Sequence, residues 1–506
     1  MTSLRTSMLP LIACTLMIPQ LSLAEEPAPV DQIALTAKAA VDPKAAFLEA
    51  FDAGDELTEA TFTAARGVGA KVANGQRFTR YPRADLAGIG EWASHLPPRE
   101  GGPQAQACIT CHALPYANGA GGIALNVAID PLQTGDPALY LERNTLHLFA
   151  LGAVQKIAEE MTAELQAQAV AIDKAACQQG EAVTGPLQAK GVGFGTLTAM
   201  PETDGDACAA RRDETGIDGV DADLVVRMFG WKGTHATIRD FSRGAAHNEL
   251  GMQADELVGK IDGDHDGVIG ELTVGDLTAL SVYIAGLERP ISKIELADRG
   301  VIELPDADRL KIARGDEVFA ATGCATCHRP EMKIEDPVFS EPSQQVGFYD
   351  EIFPSGDRPE DLGLSMALPV SFDLTADSPN NHVVLASGDE LNLGAFDKDP
   401  EGRAVVHWYS DFKRHDMGPA LADPMDAYGF GASVWPTRSL AGVASTGPWL
   451  HNGHATTLDE AILAHGGAAQ ASRAAYTTLS DDDQSALIAF LENLIIVDLD
   501  PEEEHE

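Results

Sequence analysis

The sequence predicts a mainly α fold made of two similarly built domains, each interrupted by a long irregular insertion. Three observations predict it. The pentapeptide Cys108-Ile-Thr-Cys111-His112 recurs as Cys324-Ala-Thr-Cys327-His328. A helix-capping pattern also recurs: Thr273-Val-Gly-Asp276 precedes Leu277, Leu280, Ile284 and Leu287, and Ser480-Asp-Asp-Asp483 precedes Leu487, Ile488, Leu491 and Leu494. No strand-rich region stands out.

C-x-x-C-H is the attachment signature of c-type haem: two thiols add to the vinyl groups and the adjacent imidazole becomes the proximal iron ligand. With only seven Cys and fourteen His in 506 residues, two such pentapeptides are far from chance. Zinc half-sites or redox C-x-x-C pairs are the alternatives, and neither explains His in the fifth place both times. The expectation is two cytochrome c-type haem domains, 45–290 and 300–498, joined near Pro290. Each would have a helix leading into its motif and a helix closing across it. Two covalently attached c-type haems follow, with Cys108, Cys111, Cys324 and Cys327 as attachment points and His112 and His328 as iron ligands.

In chain order, Met1-Thr-Ser-Leu-Arg5 and an apolar run from Met8 to Ala24 read as a signal peptide over 1–24, with Ser22-Leu-Ala24 before the cut. Cys14 in Leu11-Ile-Ala-Cys14 offers a lipid-anchored alternative. Export to the periplasm agrees with c-type haem attachment. Residues 25–44 read as an Ala/Pro-rich linker of low order, and Lys44–Phe51 as a short amphipathic helix. Gly67–Gly102 is turn-rich, with Arg80, Arg83 and Arg99 placed either to hold haem propionates or to lie on the surface. Asn118-Gly-Ala-Gly-Gly122 is a loop. Ala153–Gln179 lacks Gly and Pro and carries Val154, Ile157, Met161, Leu165 and Ile172 at helical spacing. The first insertion, 180–222, reads as loop. Leu310–Phe319 is the helix leading into the second motif, and the acidic, Pro/Ser/Asp-rich insertion 330–405 reads as irregular surface structure.

Setting aside Cys14 and the four haem cysteines leaves Cys177 and Cys208. In an oxidising compartment they predict a disulfide; two buried free thiols are the alternative. The charge is strongly acidic, 35 basic against 77 acidic residues and a net charge of −42. That argues against nucleic acid and anionic membrane surfaces. Beyond the N-terminus no run of eighteen apolar residues occurs, so no transmembrane span is expected in the mature chain.

The sixth ligand of each iron decides between chemistry and electron transfer. Trp231 lies in Met228-Phe-Gly-Trp231-Lys-Gly-Thr-His-Ala-Thr-Ile-Arg-Asp-Phe241, and Glu249 in His247-Asn-Glu249-Leu-Gly-Met252. Downstream runs Thr446-Gly-Pro448-Trp-Leu-His451-Asn-Gly-His-Ala-Thr-Thr-Leu458-Asp-Glu460-Ala-Ile-Leu463-Ala-His465-Gly-Gly467. These segments resemble the bacterial di-haem cytochrome c peroxidase superfamily, most closely its di-haem oxidoreductase branch, over roughly 75 to 498. The resemblance implies an indole between the haems, at Trp231, and a distal carboxylate over the peroxidatic haem, at Glu249. The family's Asn-Pro before that Glu is replaced by His247-Asn248. A core Trp and a solvated Glu are the structural alternatives. The resemblance also implies a distal ligand to the second haem after the T-L-x-E-A helix. The peroxidases have Met there, whereas this chain has His465, as at the matching place in related rubber oxygenases. His328 and His465 are therefore expected as a bis-His pair, with Met417 as rival.

Family members hold Ca²⁺ through an Asn side chain and carbonyls flanking the T-x-P segment. Asn144, Thr446 and Pro448 match those places, and are hard oxygen donors. A second candidate, independent of the resemblance, is Asp262-Gly-Asp264-His-Asp266-Gly267, which follows the first positions of an EF-hand loop. Its twelfth place is Thr273, with Glu271 two places early, and an acidic turn is the alternative.

The function these features imply is an exported di-haem oxidoreductase of peroxidase-like activity. Its partners would be a small-molecule oxidant, peroxide or dioxygen, and a redox protein or small electron donor. A non-catalytic electron-transfer cytochrome and a dioxygen-using oxygenase are the other classes. The peroxidases often close their first haem with a His shortly downstream, and here residues 113–146 contain no His. The first haem is thus expected to be the reactive one and the second to pass electrons.

Overall fold

The computed structural model describes residues 26–71, 76–79, 95–204, 207–379 and 381–497. Eleven α-helices run along the described chain. They are α1 (Gln32–Ala39), α2 (Pro43–Glu59), α3 (Leu151–Gln179), α4 (Ile238–Ala245), α5 (Asp255–Val258), α6 (Val274–Gly286), α7 (Lys293–Asp298), α8 (Asp306–Ala321), α9 (Leu458–Ala464), α10 (Gln470–Thr477) and α11 (Asp481–Leu491). Two helix crossings of the same kind recur. α2 crosses α6 with Gly54 so close that a Cβ there would lie 2.3 Å from the Ala279 carbonyl oxygen. α8 crosses α11 at Gly315, where a Cβ would lie 2.0 Å from the Ala486 oxygen. In each half a helix preceding the C-x-x-C-H motif is thus packed, at a glycine, on a later helix.

The capping chemistry forms as the sequence dictates. Thr273 and Asp276 make a reciprocal capping box on α6. Ser480 accepts from the Asp483 N–H at the start of α11. α3 is 29 residues long and buries Val154, Ile157, Met161, Leu165 and Ile172 on one face. That face, with Phe47, Phe51 and Tyr283, belongs to the main core. A smaller core packs the first motif around Leu57, Phe62, Leu250 and Leu277. A third packs the second motif around Phe319, Leu458, Leu487 and Phe490.

The expectation of a mainly α fold is overturned: 35% of the chain is helix and 16% is strand. Much of that strand lies in the two insertions. Residues 180–222, expected as loop, contain an antiparallel three-stranded meander, Val183–Ala189, Val192–Asp204 and Ala207–Asp213. It seats Leu187, Phe194, Leu197 and Ala199 in the main core. The alternation slips between Phe194 and Leu197, which hid the period-two pattern. The Cys177–Cys208 disulfide joins the end of α3 to its third strand. Residues 330–405 are not surface structure either. Val338–Glu341 pairs with Val370–Asp373, and Met332–Ile334 with Ala404–Val406. These ladders bury Ile334, Phe339, Phe372 and Val406. Short apolar strands separated by Asp, Pro and Ser were masked by the composition of the whole segment.

The linker expected over 25–44 holds a helix. Asp31 caps α1 by accepting from the N–H groups of Ile33 and Ala34, and Leu35 is fully buried. The segment 1–24, with Cys14, and Arg80 and Arg83 lie outside the described residues. Among the described residues no helix is long and apolar enough to cross a membrane.

The helix crossings give a direct stability test. Gly315→Ala must push backbone against backbone, so it is expected to destabilise the protein by about 1–3 kcal/mol, the usual cost of overpacking. Urea unfolding followed by circular dichroism reads this as a lower midpoint; an unchanged midpoint contradicts the close crossing.

Candidate functional site

Each motif forms a single 3₁₀ turn, Cys108–Thr110 and Cys324–Thr326. The turn closes when the histidine N–H donates to the first cysteine's carbonyl, at 3.2 Å for His112 and 2.9 Å for His328. None of the four motif cysteines is in a disulfide. Both motifs open into one cavity of about 910 Å³, walled mainly by apolar side chains. Burial pushes the Cys108 thiol up to about 12 and the Cys111 thiol to about 11, and the Glu249 carboxylate opposes ionisation of both. Among the described residues no cluster of three or more metal-binding side chains combines two cysteines.

The second motif is brought against His465. His328 Nδ1 donates to the Tyr409 carbonyl at 3.2 Å, and His465 Nδ1 to the Ala461 carbonyl at 2.8 Å. A carbonyl only accepts, so both Nδ1 atoms carry the proton and both Nε2 lone pairs are available. The ring centroids lie 6.4 Å apart. Two imidazoles sharing one metal at bonds of about 2.0 Å would hold their centroids roughly 6 Å apart. Burial holds the His328 ring down at about 4, and His465 below its usual value, so both are neutral as ligation requires. His465 is aimed by its position as the C-terminal cap of α9, whose start is fixed by the Thr457–Glu460 capping box. Met417 lines the same cavity.

His415, left unassigned by the sequence, is a third imidazole beside this motif. Its Nε2 bonds Asp411 at 2.8 Å and it clusters with Cys327. Burial opposes its charge, but Asp411 and Cys327 together raise it to about 10.

On the first motif's side, His112 is held down at about 4 by burial. Glu249 rides a π-helical turn, Ala246–Leu250. Such wide turns are frequent at functional sites. The Glu249 carbonyl takes the N–H groups of Gln104, at 2.7 Å, and Ala105, at 3.1 Å, which ties this turn to the segment entering Cys108. Its side chain lines the cavity, and burial plus the Glu100 charge lift its carboxyl to about 8. His247 and Asn248 anchor the same turn: His247 Nε2 bonds Pro97 O at 3.0 Å, and Asn248 Oδ1 accepts the Glu100 N–H at 2.9 Å. Arg99 is not a propionate holder, because its guanidinium is bonded to His95, His247, Gly251 and Asp264. The sequence interval without histidine ends one residue short of His147, which lines the cavity. His147 Nε2 donates to Ala441 O at 3.1 Å, and its buried Nδ1 has no hydrogen-bond partner among the described residues.

Trp231 lines the cavity too. Its indole N–H donates to the Asn144 carbonyl at 2.7 Å, and the Arg438 guanidinium carbon lies 5.0 Å from its ring centroid. Its edge meets Trp435 at 6.5 Å and His451 at 6.4 Å, and those two stack at 4.2 Å. The Lys232 ammonium lies 3.6 Å from the Trp435 ring centroid. None of the Trp435, Lys232 or Arg438 roles carries a motif; only folding assembles them.

Asn144 donates its side-chain amide to the Pro448 carbonyl at 3.0 Å and its backbone N–H to His451 O at 2.7 Å. Thr446 lies two residues before Pro448, its hydroxyl on Gly442 O. The carboxylates of Asp262, Asp264 and Asp266 bring oxygens within 4.8 Å of one another.

Residues 393–494 match the family model described as "Di-haem oxidoreductase, putative peroxidase". No match was found among curated proteins. One solved structure, described as a MauG-like protein associated with microbial copper homeostasis, is 16% identical, with 56% of this chain and 76% of that one covered and a TM-score of 0.26. The redox potential of the second site gives a test of its geometry: His465→Met is expected to raise the midpoint potential of one haem and leave the other unchanged, whereas Met417→Leu changes neither. Spectroelectrochemical titration reads both, and a shift with Met417→Leu alone would reverse the ligand assignment. The family match over 393–494 and the paired C-x-x-C-H motifs that share one cavity make this chain similar to the di-haem, peroxidase-like oxidoreductases.

Proposed function

We propose that this di-haem oxidoreductase is exported to the periplasm, carries both haems covalently, and reduces peroxide at the first haem with electrons admitted through the second. The observation that carries the reading is Glu249, held on a π-turn beside Cys108 and Cys111 with its carboxyl in the cavity. When bound, the haem on His112 supplies an open coordination position and the electrons for breaking the O–O bond. The net reaction is H₂O₂ plus two electrons and two protons giving two waters. Glu249 takes the proton from the inner peroxide oxygen and returns it to the outer one, which leaves as water. A carboxyl lifted to about 8 suits both directions of that transfer near neutrality. Trp231, its ring steadied by Asn144 and Arg438, carries electrons across the cavity. His328 and His465 would hold the second haem's iron between them.

The same reading assigns Ca²⁺ to Asn144, Thr446 and Pro448. The Asn144 amide already touches the Pro448 carbonyl, and rotating that amide by half a turn would present two oxygens to one cation. The acidic surface favours a basic donor protein, and the two haem domains are divided as 45–290 and 300–498.

One observation favours a second reading, a pure electron-transfer cytochrome. The unpartnered His147 Nδ1 on the cavity wall is an imidazole that could fill the first iron's sixth position.

Glu249→Gln separates the two. Peroxide turnover by the di-haem protein is expected to fall by about 10²–10⁴-fold, the range of a lost general acid–base, with both haem spectra retained. In the wild type, a base whose carboxyl is raised to about 8 is neutral and inactive below that pH, so kcat/KM rises with pH up to about 8 and then levels. The Gln variant loses that limb. Unimpaired turnover removes Glu249 from the mechanism.

A further inference from the structure

Arg99 is completely buried, and its guanidinium joins two parts of the molecule. On one side it donates to the carbonyls of His247 and, at 2.7 Å, of Gly251. Those residues bracket the turn that carries Glu249. On the other side Nη2 donates to Asp264 Oδ2 at 2.7 Å. Its Nε meets His95 Nδ1 at 2.8 Å.

Asp264 is the inner member of the loop's three clustered aspartates. Its side chain is 0% exposed, and its other oxygen, Oδ1, is buried without a hydrogen-bond partner among the described residues. A buried carboxylate oxygen is not left unpaired without cost. Asp262 accepts the N–H groups of Asp266 and Gly267 at 3.0 and 3.1 Å, which folds the loop back on itself at Gly267, φ +95°. Glu271 stays outside this cluster and accepts the Gln253 N–H at 2.7 Å. Three carboxylates against one guanidinium leave a formal charge of −2 here, which one divalent cation balances. The donors are all oxygen, which selects Ca²⁺ over a transition metal.

We propose that the loop from Asp262 to Val268 binds one Ca²⁺ through Asp262, Asp264 and Asp266, with Asp264 Oδ1 as the inward ligand. By fixing Asp264, the cation fixes Arg99 and so holds the turn bearing Glu249. Arg99 is a positioning residue in this scheme. The site is separate from Asn144 and does not depend on the peroxide reading.

The test uses the di-haem protein freed of Ca²⁺ by chelation. Calorimetric titration with CaCl₂ is expected to show one equivalent fewer per chain in Asp262→Asn/Asp266→Asn than in wild type. The Asn144→Ala variant retains that equivalent. Hydrogen exchange across 246–251 is expected to slow at least tenfold on adding Ca²⁺ to wild type and not to the double variant, with an unchanged Soret band reporting the fold. Equal stoichiometry in wild type and double variant overturns the site. Lost binding with Ca²⁺-dependent protection of 246–251 preserved overturns the link through Arg99. Should the double variant not fold, wild type alone decides: no Ca²⁺-dependent protection at 246–251 or 262–268 overturns the proposal.

Discussion

Asn144 is the junction on which the site depends. Its N–H donates to His451 O, its carbonyl accepts the Trp231 indole N–H, and its amide donates to Pro448 O. One residue therefore ties the end of a short strand in the first half, the tryptophan of the cavity and the T-x-P segment of the second half. Beside it, Arg143 makes a buried two-point ion pair with Asp423, at 2.9 and 2.8 Å. A buried pair of this kind is costly to break from one side, because the other charge is left uncompensated. This junction joins the two halves at the wall of the cavity that both motifs share.

Burial then sets the chemistry of the side chains facing that cavity. It holds the His112 and His328 rings down at about 4 and raises the thiols of Cys108, Cys111 and Cys324. The same desolvation raises the Glu249 carboxyl, aided by Glu100. Opposite outcomes for imidazole and carboxyl follow from one cause, since an apolar surrounding disfavours whichever form is charged. His415 departs from this pattern because Asp411 lies within hydrogen-bond distance, so the pair shares the cost of desolvation.

What was legible in the sequence is what depends on local spacing. The C-x-x-C-H pentapeptides, the long helix α3, the capping box at Thr273 and the Ser480 cap of α11 are all short-range patterns. The resemblance to di-haem enzymes was legible because its segments keep their residue order, and the family match over 393–494 agrees with it. The meander over 183–213 was missed because a slip in its alternation erases period two. The ladders within 330–405 were missed because the segment's acidic, Pro-rich average conceals Phe339 and Phe372. His147 lies one residue beyond the His-free interval 113–146. The cluster of Trp435, Lys232 and His451 could not have been found, because ring stacking and cation–π contact join residues far apart in the chain.

The proposed function requires two unlike haem sites: an open, reactive one at His112 and a closed one between His328 and His465. Electron paramagnetic resonance of the fully oxidised protein tests it most directly. One high-spin ferric signal and one low-spin signal of bis-His character, in equal amounts, are expected. Two low-spin signals that persist after partial reduction would contradict it, and would give His147 the ligand role that keeps the first iron closed.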